Sequence, residues 1–534
     1  MRLILKLLGV AALLISAPFT SHAATTAPTA IIRGQVLSTG GALEGVFVTA
    51  RNTASNIATT VYTAHDGHFV LPALPLAQYD LSAHYPGFEP TARAVDLTAA
   101  TAEIELKLPP AIEPMRTASS AAWLAALPDG DMKREFLVNC ATCHEIAAGR
   151  ILKDGKARDA QRWHAAITQM KALDVYAVIP PDFNTDKYAT WLAANLSPAR
   201  IAKLVPPPPA RVRNAVITEY PVPKANELPH DLVVGPDHRI WITAFWNSQI
   251  WALDPATGAV ESYEVNNAPK TIAQVRALEF DRHGALWMVN GGTSSVVRLD
   301  PQTRKFDTYP LPMYPHDLVI DSTGDIWVND YFAKKERIAR VAAKTGKVTV
   351  FPLPSANLPA SAGIPLPYGL QVDAADRLWS TQLAANTLAR FDIKTGRSKL
   401  YSMPDSNVGP RRTAIGLDGK VWIPEFNTGR LTSFDPKTET FATFDTGFGA
   451  AGIYDVVVDP RTGDVWMGAA LASELIHFDL KTHRFTHYPL PTEPAFMRHL
   501  AIDPVTGDVW SAYSSLPTAV PKVVRLHLAE NPGA

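Results

Sequence analysis

The stretch Cys140-Ala-Thr-Cys143-His144 holds the only two cysteines of the 534-residue chain, in the pattern C-x-x-C-H. This spacing is that of a covalent attachment site for a c-type haem. Each thiol can add to one vinyl group of the porphyrin, and the imidazole of the adjacent histidine then becomes the proximal ligand of the iron. The motif therefore predicts one haem c, with Cys140 and Cys143 holding the porphyrin and His144 binding the iron.

Three other uses of this motif stay open: a thioredoxin-like redox pair, half of a zinc site, and a structural disulfide. A thioredoxin motif belongs to a βαβ pattern, which the surrounding sequence does not have. A zinc site would need a second pair of ligands. Covalent haem is therefore the interpretation that we follow.

Met170 is the candidate for the sixth ligand of the iron. A thioether ligand raises the potential and closes the coordination sphere, which suits electron transfer. Met170 follows Trp163 and Ile167 at helical spacing, so it also fits plain packing in a core. His164 would give a bis-imidazole alternative, but it follows Trp163 directly and lies off the apolar face.

A second set of polar residues occupies one position in a phrase that is repeated seven times and ends in tryptophan. The set holds three arginines, two histidines and two tyrosines: His230, Arg276, His316, Tyr368, Arg411, Tyr454 and Arg498. Asp330 and Glu425 stand three residues after two of the tryptophans. Together these residues predict a polar funnel with cationic character that holds a polar or anionic small molecule. The alternative is a water-filled channel stabilised by ion pairs.

The repeated phrase itself predicts the elements that position this funnel. Its tryptophans recur at spacings of 46, 40, 52, 43, 44 and 44 residues, at Trp241, Trp287, Trp327, Trp379, Trp422, Trp466 and Trp510. This is the period of a propeller blade with four short strands, so residues 215–530 are expected to form a seven-bladed β-propeller. The isolated segment 218–223 is expected to complete the last blade and to close the ring.

Residues 117–200 change to helical periodicity, with expected helices at 131–139, 159–173 and 184–196. Together with the C-x-x-C-H motif, Trp163 and Met170, this segment resembles the small cytochrome c domains fused to bacterial periplasmic oxidoreductases. The resemblance implies a small all-α domain for electron transfer. A proline-rich linker at 204–213 follows it.

Residues 31–108 show short alternating runs separated by turn signals such as Asp66-Gly67. The run from Asp66 to Pro72, followed by Leu74-Pro75 and Gly87-Phe88, resembles the carboxypeptidase regulatory-like domain. The resemblance implies a transthyretin-like β-sandwich, also called a carbohydrate-binding-like fold, that serves as an accessory module. The whole chain is thus expected to be mainly β and multidomain.

The N-terminus and the composition indicate where the protein works. Residues 1–23 have the positive start, apolar run and small-residue exit of a cleaved signal peptide, so we expect a periplasmic protein. No later stretch reaches the 18 apolar residues expected of a membrane span. The chain carries 50 basic and 51 acidic residues, a net charge of −1, which gives no reason to expect a nucleic-acid partner.

The propeller phrases Pro-His-Asp-Leu and Trp-Ile-Pro-Glu425-Phe-Asn-Thr-Gly-Arg resemble those of the streptogramin (virginiamycin B) lyase family. The resemblance implies histidines and glutamates that act with a magnesium ion to abstract a proton and open an ester-linked ring. Glu425 matches the Trp-x-x-Glu phrase and would serve as base or metal ligand. His230 and His316 are the candidate histidines, whereas the later blades carry arginine or tyrosine at that position.

Three functions follow from these parts. The first is a periplasmic redox protein in which the propeller binds a substrate or partner and the haem exchanges electrons with a periplasmic donor or acceptor. The second is a metal-dependent lyase or hydrolase with the cytochrome as an accessory. The third is a binding or sensing protein without turnover. Domain content alone does not choose among them.

Overall fold

A computed structural model describes the chain in several ranges. The described residues are 28–98, 102–111, 119–141, 145–146, 148–153, 156–173, 179, 182–197, 200, 212, 214–265, 273–354, 364–515 and 519–529. The predicted signal peptide, Cys143 and His144 lie outside them, as does the predicted linker except for Val212. Val212 is buried among residues of the propeller and the N-terminal domain.

The N-terminal domain is a β-sandwich-like pair of sheets. Its strands are β1 (Thr29–Ala30), β2 (Ile32–Ser38), β3 (Gly41–Ala42), β4 (Phe47–Asn52), β5 (Ala58–Tyr62), β6 (His68–Val70), β7 (Leu74–Pro75), β8 (Ala77–His84), β9 (Thr91–Leu97) and β10 (Ala102–Lys107). One sheet has β2 between β10 and β3, with β6 also paired to β2, and the other runs β5-β4-β8-β9. Alternate residues such as Tyr79, Leu81 and Ala83 of β8 face a common apolar core.

The segment that carries Cys140 is mainly helical. Its helices are α1 (Ser120–Ala125), α2 (Asp131–Cys140), α3 (Ala148–Ile151), α4 (Ala160–Leu173) and α5 (Thr185–Asn195). The three helices expected from the sequence correspond to α2, α4 and α5, and Asn184 caps α5 by accepting the N–H of Lys187 at 2.9 Å. The expectation of an all-α segment is wrong in one respect, because a short hairpin of β11 (Leu152–Lys153) and β12 (Lys156–Ala157) follows α3.

The described residues from 214 onward form seven four-stranded antiparallel blades, which we call blades 1 to 7; six are separate sheets and the seventh is part of a larger sheet. Blade 1 consists of β14 (Pro229–Val234), β15 (Ile240–Ala244), β16 (Gln249–Leu253) and β17 (Val260–Glu264). Blade 2 consists of β18 (Val275–Phe280), β19 (Leu286–Asn290), β20 (Ser295–Asp300) and β21 (Lys305–Pro310).

Blade 3 consists of β22 (Pro315–Ile320), β23 (Ile326–Asp330), β24 (Arg337–Val341) and β25 (Val348–Pro352). Blade 4 consists of β26 (Pro367–Val372), β27 (Arg377–Gln382), β28 (Thr387–Asp392) and β29 (Ser398–Ser402).

Blades 5 to 7 complete the ring. Blade 5 consists of β30 (Ala414–Ile415), β31 (Val421–Glu425), β32 (Arg430–Asp435) and β33 (Thr440–Asp445). Blade 6 consists of β34 (Ile453–Val458), β35 (Val465–Ala469), β36 (Glu474–Asp479) and β37 (Arg484–Pro489). Blade 7 consists of β38 (Met497–Ile502), β39 (Val509–Ser515), β40 (Ala519–Leu528) and β13 (Ala215–Pro221). The first strand of each blade contacts that of the next, and β14 contacts β38, so the blades close a propeller-like ring.

The outermost strand of blade 7 comes from the beginning of the propeller sequence. Strand β13 pairs antiparallel with β40 from Ala215 opposite Leu528 to Pro221 opposite Lys522. The prediction that this segment completes the last blade is confirmed. The pairing joins the two ends of the ring and removes an open sheet edge.

Strand β13 also pairs with β5 of the N-terminal domain, so blade 7 and one sheet of the sandwich form a single eight-stranded sheet. Ile217 lies opposite Thr60 in this pairing. Next to it, the hydroxyl of Tyr62 donates to the carbonyl of Pro489 in blade 6 at 2.6 Å. The N-terminal domain is therefore built onto the propeller through backbone pairing, and nothing in the strand pattern alone predicts this.

The seven repeated tryptophans are core residues, as the sequence predicts. Each is at most 3% exposed. In blades 2 to 4 the indole N–H donates to an aspartate of the preceding turn, as from Trp287 to Asp281 at 2.8 Å and from Trp379 to Asp373 at 2.9 Å. In these blades the bonds satisfy a polar atom inside an apolar layer.

None of the helices in the described part of the chain is both long enough and apolar enough to cross a bilayer.

Candidate functional site

In most blades a β-bulge lies near the start of the first strand, and it sets the direction of the side chain at the repeated polar position. The pairing of β14 with β15 shifts between Pro229 and Leu232, and the pairing of β22 with β23 shifts between Pro315 and Leu318. Bulges re-aim a side chain at the edge of a sheet. A polar group on the second strand holds the bulged backbone, since Asp317 donates its N–H to the side-chain oxygen of Asn329 at 2.8 Å.

Four of the predicted funnel residues form one connected cluster. The Arg411 guanidinium is fully buried, and its carbon lies 5.0 Å from the ring centroid of Tyr368 and 4.2 Å from that of Tyr454. Arg411 donates to the Tyr368 hydroxyl at 3.0 Å, and the Tyr368 and Tyr454 hydroxyls hydrogen-bond to each other. The ring of His316 lies 4.4 Å from that of Tyr368. Residues from blades 3 to 6 thus meet in the channel.

Both funnel histidines are held as neutral imidazoles with a defined tautomer. His316 donates its Nδ1–H to the carbonyl of Tyr368 at 3.0 Å, and His230 contacts the Asp231 carboxylate through Nδ1 at 2.5 Å. Burial lowers the pKa of His230 to about 4, although Asp231 opposes the shift. Burial also lowers the pKa of His316 well below its usual value, and the Arg276 guanidinium lowers it further. Each Nε2 atom therefore carries a lone pair at neutral pH.

The two remaining arginines surround His230. The Arg276 guanidinium lies 5.1 Å from the ring centroids of both Phe245 and Tyr314 and donates to the Tyr314 hydroxyl. The Arg498 guanidinium lies 4.6 Å from the ring of Phe496. Both guanidinium groups lower the pKa of His230, so their positive potential reaches its imidazole. This is an electrostatic environment that favours an anion.

The buried state of His230 gives a testable pH dependence. An ordinary histidine has a pKa near 6.5, so between pH 6.5 and 4 the unfolded chain binds a proton at this residue and the folded protein does not. Stability therefore falls as the pH is lowered through this window. Between pH 7 and 4.5 the free energy of unfolding of the wild type should fall by about 2–3 kcal/mol more than that of the His230→Asn variant. Urea unfolding at each pH measures this difference.

The same experiment contains its own control. Well above pH 6.5 the imidazole of His230 is neutral in both the folded and the unfolded chain, so the difference between the unfolding free energies of the two proteins should be constant there. Parallel pH profiles of the two proteins below pH 6.5 would contradict a neutral, buried His230.

A second layer of charge lies directly behind the funnel residues, and sequence reasoning missed it. Arg412 is 4% exposed in its side chain and contacts Asp231, with Asp317 at 3.5 Å. Burial alone would raise the pKa of Asp231, but Arg412 and His230 hold it well below its usual value. Burial raises the pKa of Asp317 to about 6, against the lowering effect of Arg412. The sequence does contain a signal for this layer, because each of its charged residues immediately follows one of the predicted funnel residues His230, His316 and Arg411.

The two carboxylates predicted beside the funnel are engaged within the sheets. Glu425 is fully buried and accepts hydrogen bonds from Thr428 at 2.5 Å, Thr432 at 2.7 Å and the Arg430 Nε at 2.8 Å. Asp330 accepts from the Arg337 Nε at 2.6 Å. These contacts give both residues structural roles. A part for Glu425 as base or metal ligand stays a prediction.

A layer of aromatic residues lines the funnel, and this too was missed from the sequence. It stands four residues after the repeated tryptophans and includes Phe245, Tyr331 and Phe426. The Arg411 guanidinium lies 4.0 Å from the Phe426 ring, and His316 stacks on Tyr331 at 4.8 Å. The shared spacing from the tryptophan was the available signal. Stacked aromatic faces hold the cationic groups through cation–π contacts.

The helical segment is docked on the funnel side of the propeller. Ala121 of α1 donates its N–H to the carbonyl of Leu471, in the turn after β35, at 2.7 Å. Arg134 of α2 donates to the carbonyl of Ser406 at 2.8 Å. Trp123 and Phe136 belong to the same continuous hydrophobic core as Leu471 and Phe426. Turns after second strands lie on the side where first strands begin, which is the funnel side.

The predicted haem ligands are only partly described. Cys140, at the end of α2, is partly buried and packs against this shared core, while Cys143 and His144 lie outside the described residues. Met170 is half-buried on α4, and His164 is exposed, with Nδ1 2.7 Å from Asp186. The buried indoles of Trp123 and Trp163 find no acceptor for their N–H among the described residues. A bound group with an acceptor oxygen would satisfy them.

Within the described parts of the chain, no three histidine, cysteine, aspartate or glutamate side chains are placed to hold one metal ion. The predicted magnesium ion therefore remains a prediction.

Comparisons with known families cover both β regions. The virginiamycin B lyase family matches residues 215–519, more than half of the chain. The carboxypeptidase regulatory-like domain matches residues 31–109. No curated protein matches the chain.

Solved structures resemble the propeller region in fold. A streptogramin B lyase structure superposes with a TM-score of 0.52 at 21% identity, covering 59% of this chain and 98% of that one. Selenomethionine-substituted virginiamycin B lyase from Staphylococcus aureus superposes with a TM-score of 0.51 at 19% identity, covering 59% of this chain and 99% of that one. A catalytically inactive histidine-to-alanine variant of that lyase with quinupristin gives the same values. At this identity the likeness concerns the fold alone.

Proposed function

This chain belongs to the virginiamycin B lyase family, and we propose that it acts as a periplasmic c-type cytochrome in which the helical segment and the propeller form one redox unit. A haem c bound through Cys140, Cys143 and His144 would supply one-electron transfer. In this proposal the funnel holds a polar or anionic ligand, and a periplasmic electron donor or acceptor meets the helical segment.

The docking of the helical segment on the funnel side carries the proposal. The contacts from Ala121 to Leu471 and from Arg134 to Ser406 attach the segment at blade 6 and between blades 4 and 5. A cofactor enzyme depends on how the fold places the cofactor against the ligand. A module that served only as a remote accessory would not need to share its core with the lining of the funnel.

The described residues of the helical segment fit a haem. Cys140 packs against an apolar core that includes Trp163, Ile167 and Tyr188. Two indole N–H groups in this core could donate to oxygen atoms of a bound group. Met170, on the same helix as Trp163, remains the proposed sixth ligand.

The funnel residues would bind the ligand through charge and hydrogen bonds. Arg276, Arg411 and Arg498 place guanidinium groups around the channel, where an anion is favoured. The neutral imidazoles of His230 and His316 can accept hydrogen bonds from the ligand at Nε2, because their Nδ1 protons are already donated.

Visible spectroscopy of periplasmically expressed protein tests the proposal. We expect a sharp α-band after reduction with dithionite and a haem-stained band that survives a denaturing gel with thiol. A weak far-red band in the oxidised protein would support a methionine ligand, and its loss in Met170→Leu would identify Met170. Absence of covalent haem would overturn the redox proposal.

A second candidate function is an acid–base or metal-assisted lyase in the propeller. The observation that favours it is the His230–Asp231 pair, in which a buried carboxylate orients an imidazole as in many catalytic bases. This candidate expects bond cleavage in a streptogramin-like cyclic ester that does not depend on haem. The cysteine variants described in the Discussion separate it from the redox proposal.

A further inference from the structure

A cavity of about 530 Å³ lies in the channel at the end opposite the funnel, with Arg412 in its wall. The first strands of all seven blades line it, namely β14, β18, β22, β26, β30, β34 and β38. The funnel residues stand near the starts of these strands, whereas the cavity is lined by the residues that follow them along each strand. We call it the rear cavity, and its volume is that of a site for a small ligand.

The rear cavity is acidic. Glu279, Asp317 and Asp455 line it, together with one basic residue, Arg412. Arg412 contacts Asp231 and lies 3.5 Å from Asp317, so its charge is already engaged. Among the residues that the structure describes, neither Glu279 nor Asp455 forms an ion pair with a basic side chain. Two carboxyl groups of the cavity therefore lack a cation.

Glu279 interrupts an otherwise uncharged level of the ring. It pairs with Trp287 across β18 and β19, and the partners of the other six repeated tryptophans are Val233, Val319, Gln371, Ala414, Val457 and Ala501. Glu279 is partly exposed and accepts the N–H of Ile320 at 3.1 Å. It also borders a groove between blades 2 and 3, where Arg298 pairs instead with Asp307 at 3.3 Å.

Asp455 lies deeper in the rear cavity than Glu279. It accepts the N–H of Leu500 at 2.7 Å and stands two residues before Val457, which occupies the level of Glu279. Two residues of a strand span roughly 6–7 Å, and blades 2 and 6 lie on opposite parts of the ring. In the described residues no three acidic or histidine groups are placed to hold one metal ion. An extended cation with two separated charges fits this arrangement better than a single ion.

The pKa values are those of carboxyl groups without a cation. Burial raises the pKa of Asp455 to about 7, although Arg412 opposes the shift. Burial raises the pKa of Glu279 to about 8, and the Asp317 carboxylate raises it further. Burial lowers the pKa of His499, the remaining titratable group of the cavity, to about 3, so its imidazole is neutral. A bound cation would favour the ionised carboxylates.

We propose that the rear cavity binds a linear aliphatic diamine, with one ammonium group at Glu279 and the other at Asp455. Apolar side chains such as Leu278, Val456 and Ile502 line the cavity and would contact the methylene chain. The two ammonium groups would supply the missing cations through charge-assisted hydrogen bonds. This site is separate from the funnel and requires no haem, so it does not depend on the proposed function.

Calorimetric titration of the full chain at about pH 8.5 tests the site with three probes of equal chain length. The probes are 1,5-diaminopentane, pentylamine, which has one charge, and 1,5-pentanediol, which has none. We expect the diamine to bind at least about tenfold more tightly than pentylamine, and the diol to give no measurable heat. Equal affinities for the diamine and pentylamine would overturn the proposal.

Glu279→Gln locates the site, because the amide keeps the shape of the side chain and can still accept the N–H of Ile320. In this variant the diamine should bind no more tightly than pentylamine. Asp455→Asn should have the same effect, and it carries the test if the first variant does not fold. Glu103→Gln is the control, since Glu103 is 77% exposed in its side chain and lies in the N-terminal domain. Unchanged diamine affinity in folded Glu279→Gln would refute the site.

The affinity should also depend on pH. The amines stay protonated below pH 9, whereas Asp455 and Glu279 bind protons between pH 8.5 and 6. The diamine must displace these protons, so its affinity should fall at least about tenfold as the pH is lowered from 8.5 to 6. An affinity that does not change over this range would contradict binding at these two carboxylates.

Discussion

Replacing Cys140 and Cys143 together by serine is expected to abolish covalent haem, with loss of both the reduced α-band and the stained gel band. A hydroxyl does not form the thioether bond to a vinyl group, and the chain contains no other cysteine that could replace either one. The measurement is the haem absorbance per mole of protein. Haem that stays attached in the double variant would refute the C-x-x-C-H assignment.

Thr142→Ser is the matched control, because it changes a residue inside the motif and keeps both thiols and the histidine. It should retain full haem content. The double cysteine variant also separates the two candidate functions. Cleavage of a cyclic ester that persists in the folded double variant would favour the lyase, and loss of a redox activity would favour the cytochrome.

Replacing Arg412 by alanine is expected to destabilise the propeller by about 3–5 kcal/mol, because it leaves two buried carboxylates without their cation. Asp231 is fully buried and Asp317 is 7% exposed, and Arg412 faces both. The readout is urea unfolding followed by tryptophan fluorescence, since all seven repeated tryptophans lie in the propeller core. A loss below about 1 kcal/mol would show that the pair is not buried as described.

Lys420→Ala is the control, because the side chain of Lys420 is 37% exposed and its partner, Asp418, is 36% exposed. Its loss should cost at most about 1 kcal/mol. The Arg412 effect should also depend on pH. Arg412 holds the pKa of Asp231 down, so without it burial favours the protonated acid and the variant should recover stability as the pH falls. Adding Asp231→Asn to Arg412→Ala should recover part of the loss at pH 7.

Much of the fold followed from periodic signals in the sequence. The tryptophan spacing predicted the seven sheets, the single strand at 218–223 predicted the closure by β13, and Asn184 marked the start of α5. The strands within a repeat and the helix cap are local signals, because each depends on residues only a few positions apart. The closure was inferred from comparing the two ends of the repeat. The hairpin after α3 carried no such signal, and the expectation of an all-α segment missed it.

The candidate site was predictable only in part. Aligning the repeats predicted one ring of residues from His230 to Arg498, and in the structure Tyr368, Arg411 and Tyr454 contact one another. The same alignment placed Glu425 beside them. In the structure Glu425 bonds to Thr428, Arg430 and Thr432 of its own blade. A repeat alignment gives the position of a side chain in a blade but not its hydrogen-bond partner.

By itself, the sequence determined the repeat and its polar position, because these depend on spacings within one blade, and it determined the closing strand, because the repeat pattern leaves one strand over at its start. Only the tertiary structure decided that α1 and α2 dock on the funnel side, that β13 joins the sandwich through β5, and that Arg412 of blade 5 neutralises Asp231 of blade 1. These contacts join residues far apart in the chain. They depend on which apolar faces and buried charges meet when the ring closes, which no local pattern records.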